Sequence, residues 1–189
     1  MKHHVYYSSK GGSGCSTVAA TVAAMLARSS KVLLIDASRQ RDLHLVLGLE
    51  RYDITSLRPV SDSLTYANLH PAQVWGDDFY DHLVIDYGTT TPTLYGHVDS
   101  STLVTRLGFL HVYSAFTRLH TTHVVVVEEP DCALTTSDLA RAIGFAEHDM
   151  ITVPFDPAVA RAVDAGLLVS CVPSSLSAPF TYHIKAMTQ

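Results

Sequence analysis

The chain has 189 residues, 47% of them hydrophobic and 16% charged, with 13 Lys and Arg against 18 Asp and Glu. That length suits one core domain spanning residues 1–189, and a net charge of −5 argues against strong nonspecific binding to DNA unless the nine arginines cluster. No apolar run reaches the roughly 18 residues of a membrane span, Met1-Lys2-His3-His4 leads into a β-prone run instead of a secretory leader, and three widely spaced cysteines form no C-x-x-C pair, so a cytoplasmic, reduced setting is expected.

In chain order, residues 4–8 predict a short strand and residues 16–29, rich in alanine and valine, a buried helix. Val32-Leu33-Leu34-Ile35 is a continuous apolar strand ending at Asp36, and a short helix is expected over residues 43–47. Residues 51–78 lack periodicity and carry two prolines, which predicts a surface loop with a short strand near residues 64–69. Further strands are expected at residues 83–85, 103–105, 124–127 and 151–153, with helices over 135–145 and 158–168. Thr135, Thr136, Ser137 and Asp138 offer oxygens to cap the first of these helices. Apolar strands separated by crossover-length connections predict a doubly wound α/β fold, a mostly parallel sheet flanked by helices.

The most informative segment is Lys10-Gly11-Gly12-Ser13-Gly14-Cys15-Ser16-Thr17, set between the first strand and the first helix. Small residues let successive backbone N–H groups converge on phosphate oxygens at the positive end of a helix. In the motif G-x-x-x-x-G-K-[ST], the lysine reaches the β and γ phosphates and the hydroxyl binds Mg²⁺. Here Ser16 supplies the hydroxyl, while Cys15 stands in the lysine's place. A thiol carries no positive charge and donates weakly, and losing a charged hydrogen bond costs about 1.5–3 kcal/mol, one to two powers of ten in affinity. A helix start beside Lys10 can lower the pKa of Cys15, but no histidine or second cysteine lies nearby in sequence to act as its partner, which argues against a reactive role.

This segment resembles the deviant Walker A motif of the ParA/MinD superfamily of P-loop ATPases, in which an additional early lysine, matched by Lys10, reaches across a dimer to the partner's phosphates. Residues 32–36 resemble the family's second strand, whose terminal aspartate, here Asp36, lies near the attacking water. Residues 41–49 resemble the short helix that follows. Residues 80–88 resemble the Walker B strand, with Asp86 as the Mg²⁺-water ligand and Gly88 in the switch. Residues 151–166 resemble the Pro-x-Asp segment, which sets Pro154 and Asp156 against the adenine, and its helix. The resemblance implies a P-loop fold, ATP or ADP with Mg²⁺ as cofactors, phosphates cradled by Gly11, Gly12, Ser13, Gly14, Cys15, Ser16 and Thr17, metal held through Ser16 and Asp86, and catalysis assisted by Lys10 and Asp36.

Two departures qualify the expected activity. Besides Cys15, the asparagine that family members carry after the next-to-last core strand is replaced by Glu128-Glu129, and a carboxylate lacks the amide's donor. The expected function is a positioning or partition protein with a degenerate nucleotide site and weak or absent ATPase activity, similar to atypical TadZ/CpaE-type positioning proteins. It would form a homodimer and engage a protein partner that the sequence does not identify. The alternatives are a slow but active ParA-type ATPase and a regulatory module independent of nucleotide. The end of the chain lacks the basic amphipathic helix of membrane-bound relatives, and the C-x-x-C of the iron–sulfur carrier branch is missing. His120 and His123 lack a third ligand at a telling spacing, which predicts a solvated strand edge over a metal site.

Overall fold

The computed structural model describes residues 1–49, 57–74, 78–115 and 121–188. Their strands are β1 (Lys2–Tyr7), β2 (Val32–Asp36), β3 (Arg58–Pro59), β4 (Leu64–Ala67), β5 (His82–Asp86), β6 (Ser100–Arg106), β7 (His123–Val127) and β8 (Met150–Val153). All eight join one sheet in the order β3-β4-β2-β5-β1-β6-β7-β8. Every pairing is parallel except that of β3, which runs antiparallel to β4 at one rim, Arg58 opposite Tyr66 and Pro59 opposite Thr65.

The central strands are apolar throughout because both of their faces are covered. Alternate residues point to opposite layers. Leu34, Val84, Val104 and Val125 enter one core with the helices α1 (Cys15–Leu26), α2 (Leu43–Val46), α5 (Pro157–Asp164), α6 (Ser174–Ser177) and α7 (Thr181–Thr188). Leu33, Ile35, Leu83, Ile85 and Val126 enter the other, with α3 (Phe109–Ser114) and α4 (Thr136–Ile143). Because α1 is the helix most deeply set in the sheet, it needs small side chains: Ala19, Ala20 and Ala23 are fully buried on it. The small residues that read as a buried helix thus let its axis come close to the strands.

The strands and helices expected from the sequence form, with ends shifted by up to four residues, and the short strand near residue 64 is β4. Not foreseen were β3, α3 and the C-terminal helices α6 and α7. No helix among the described residues is long and apolar enough to cross a membrane. In a parallel sheet all carboxyl ends share one edge, so the segments after β1, β2, β5, β6, β7 and β8 gather there.

Candidate nucleotide site

The turn after β1 reaches α1 through Gly14, which caps the helix in the left-handed region at φ 85°. No side chain caps α1, so its first-turn amides are not taken up by a side-chain cap. A β-carbon at Gly11 or Gly12 would meet nothing within 4 Å, which leaves open space on the outer side of the loop. The cavity beside it, about 240 Å³, is lined by residues 11–17 together with Ser38, Gln40, Asp42, Gly88 and others. Hydroxyls and glycine backbone dominate this lining. It contains no lysine, arginine or histidine among the described residues.

Cys15 explains part of that character. Its side chain is buried and its Sγ donates to Asp86 Oδ1 at 3.2 Å. Burial, then the neighbouring Asp86 carboxylate, pushes the thiol well above its ordinary pKa. The lowered pKa that a helix start beside a lysine can give is not realised here: desolvation and a like charge outweigh the helix end. Lys10 lines neither this cavity nor the larger one, and its carbonyl accepts from Ser13 Oγ at 2.6 Å. Its charge is felt by His111 on α3, whose pKa is lowered by burial and then by Lys10 and Arg106.

Asp86 ends β5 beside Asp36 at the end of β2. Its Oδ1 accepts from Gly88 N at 2.8 Å as well as from the thiol, while Oδ2 is buried with no hydrogen-bond partner. Burial raises the carboxyl to about 6, against the pull of the Ser16 hydroxyl and the Gly88 amide. A buried carboxylate oxygen without a hydrogen-bond partner and the nearby Ser16 hydroxyl are two oxygen donors of the kind that a hydrated Mg²⁺ takes from a protein. Gly88 has φ 52°, and a β-carbon there would lie 2.9 Å from Ser38 Cβ, so the turn after β5 is closed against β2 by the lack of a side chain.

Asp36 is engaged differently. Its Oδ1 accepts from Ser38 N at 3.0 Å and Ser38 Oγ at 2.6 Å, and Oδ2 accepts from Leu43 N at 2.9 Å. Burial raises its pKa. The carboxylate braces the turn into α2, and Ser38, Gln40 and Asp42 are the side chains that this turn presents to the cavity.

A second cavity of about 490 Å³ opens on the other side of Gly14 and Thr17, which line both. Its walls include Val127, Val153, Pro154, Phe155 and Val159, with the polar groups Arg106, Glu128, Glu129, Asp156 and Asp164 among its lining. Arg106, at the end of β6, is ion-paired with Glu129. Asp156 caps α5 by accepting from Ala158 N at 2.7 Å, and its other oxygen accepts from Ser175 Oγ at 2.6 Å. The Ser175 and Ala158 bonds hold its carboxyl below the usual range.

An elongated ligand with a flat apolar part and an anionic part suits two such cavities joined at a glycine-rich helix start. Comparison with solved structures bears on this geometry. A ParA family ATPase from Chlorobium tepidum TLS superposes with a TM-score of 0.77 at 18% identity, over 97% of this chain and 98% of that one. The fold is that of the ParA/MinD ATPases. The MinC:MinD cell division complex of Aquifex aeolicus matches with TM-score 0.78 at 20% identity, over 100% of this chain and 96% of that one. MinD from Pyrococcus horikoshii OT3, complexed with Mg-ADP, matches with TM-score 0.72 at 16% identity, over 98% and 94%. No protein-family model and no curated protein matches the sequence.

Within this ParA/MinD fold, the structure brings Gly11 to Thr17 around one cavity, with Asp86 buried behind it against Cys15, and Pro154 and Asp156 to the other. Ser38, Gln40, Asp42 and Arg106 were missed, since each depends on a turn path or strand register that no motif encodes. His123 stands at the start of β7 against His183, ring centroids 4.4 Å apart, and His120 lies outside the described residues. No group of three or more metal-ligating side chains placed to hold an ion occurs among the described residues.

Proposed function

We propose that this chain is a ParA/MinD-type positioning or partition module that binds a nucleotide with Mg²⁺ weakly and hydrolyses it slowly or not at all. The observation that carries this reading is the inward seat of Cys15 on Asp86 beside a loop cavity that, among the described residues, is lined by no basic side chain. The features that support a cradle are open space over Gly11 and Gly12, an α1 without a side-chain cap, the Ser16 hydroxyl and an Asp86 oxygen without a hydrogen-bond partner. Gly11 to Thr17 would hold phosphates, and Ser16 and Asp86 would hold Mg²⁺, which when bound offsets phosphate charge. Phosphoryl transfer depends on charge stabilisation at the transferred group. A lining that holds Asp42 and, among the described residues, no basic side chain supplies little of it, and Asp36, with both oxygens engaged, braces the turn instead of placing water.

Face-to-face pairing of two copies at the carboxyl edge of the sheet is part of this proposal. It is supported by α3, which exposes Phe109, Leu110 and Tyr113 beside the loop carrying Lys10. Lys10, absent from the lining of its own cavities, would then act toward the partner's phosphates.

Calorimetric titration with Mg²⁺–ATP and Mg²⁺–GTP on the wild type and Cys15→Lys tests the site. An ammonium at position 15 restores a charged phosphate contact, so affinity rises roughly ten- to hundred-fold in the variant. Tight wild-type binding with sustained turnover would overturn the impaired-enzyme reading.

A further inference from the structure

We propose, resting on the nucleotide reading above, that the larger cavity is built for a guanine base, with Glu128 reading its donor edge and Arg106 its acceptor edge. The cavity shares Gly14 and Thr17 with the phosphate cradle, so a base seated in it belongs to the same ligand as phosphates seated on the loop. At about 490 Å³, with Val127, Val153, Phe155 and Val159 around it, it has the size and apolar walls that a purine ring needs.

The polar groups then decide which purine. Glu128 follows β7 directly and is fixed at the backbone by donating its N–H to Val153 O at 2.9 Å. Its carboxylate has no hydrogen-bond or ionic partner among the described residues, whereas the adjacent Glu129 is paired with Arg106. Arg106 uses Nη1 for that pair and keeps Nε buried without a partner. A carboxylate offers acceptors only. Guanine presents two neighbouring donors, N1–H and the N2 amino group, which a carboxylate accepts with both oxygens, and beside them O6, an acceptor that suits a guanidinium. Adenine's matching edge carries one donor, the N6 amine, next to the N1 lone pair. Against Glu128 that edge forfeits one charge-assisted bond and sets a lone pair against a negative oxygen. The loss of one such bond is a discrimination of roughly ten- to hundred-fold.

The test uses the full chain, wild type and in the Cys15→Lys background, with ribose-labelled fluorescent GDP and ADP plus Mg²⁺, each competed by its unlabelled form. The expected result is GDP binding at least ten-fold tighter than ADP in both backgrounds. Adding Glu128→Gln, which supplies an amide donor for N1 of adenine, is expected to bring the ratio to near unity or below. Equal or tighter ADP binding in the parent chains, or a ratio unmoved by Glu128→Gln, overturns the guanine assignment while leaving a nucleotide site standing. Failure of both nucleotides to bind in either background overturns the nucleotide reading and the guanine assignment together.

Discussion

Asp86 at the carboxyl edge of the sheet and the histidines at its amino edge meet burial in opposite ways. Asp86 keeps an unpartnered oxygen and a pKa that burial raises to about 6, and the helix behind it starts without a side-chain cap. At the amino edge, buried histidines satisfy one another. His4 Nε2 meets His82 Nδ1 at 3.0 Å and its Nδ1 meets Ser100 Oγ at 2.8 Å, within a stacked pair of rings. His123 and His183 pack edge to face. The open oxygen of Asp86 is left for a ligand to complete, while the His4–His82 pair, satisfied internally, does structural work.

Acid breaks the histidine edge first. Burial, then His82, lowers His4 to about 3; burial, then His123, lowers His183 to about 4; burial also lowers His82 and His123. With folded values below the unfolded 6.5, this stability is fully present above pH 6.5 and is lost as pH falls toward the folded values. For His4 alone the loss amounts to about 5 kcal/mol at its limit. Denaturant melts between pH 7 and 4 are expected to show steep loss in the wild type and a shallower one in His4→Gln; parallel curves would remove the histidines from the account.

The carboxyl edge moves the other way. The folded value of Asp86, about 6, lies above its unfolded one, so its contribution is fully present below about pH 4 and is lost as pH rises through 6. Asp86→Asn is therefore expected to stabilise the chain by about 2–3 kcal/mol at pH 8 and little at pH 4. The same variant should weaken Mg²⁺-dependent nucleotide binding. Destabilisation at pH 8 would mean that the charged carboxylate is already compensated.

The smallest effect separates two helix starts on that edge. Unlike α1, α4 satisfies its own amides: Thr135 accepts from Asp138 N, and Asp138 accepts in return from Thr135 N at 2.9 Å. Thr135→Ala should cost about 1 kcal/mol in chemical denaturation and leave nucleotide titration untouched. An equal loss of nucleotide affinity would show that the two starts are not independent.

The sequence exposes what is local. A phosphate loop, apolar strands ending in aspartates and the Thr135 cap are each written within a few neighbouring residues. The direction of Cys15 depends on how α1 lies across β5, and Asp86 is 71 residues away. The histidine pair needs the register that sets His4 beside Ser100 and carries β5 alongside β1, partners 78 and 96 residues apart. Arg106 and Glu129 likewise meet only because β6 and β7 are adjacent, Arg106 opposite Val127. Short helices such as α3, with an exposed apolar face, follow no amphipathic period and so escape a pattern reading.

The two-residue β3, running against the grain and finishing at an exposed proline, gives its rim of the sheet almost no free amides to offer an incoming strand. Among the described residues, that border therefore offers little backbone for another strand to extend, and the sheet is guarded there against edge-to-edge growth.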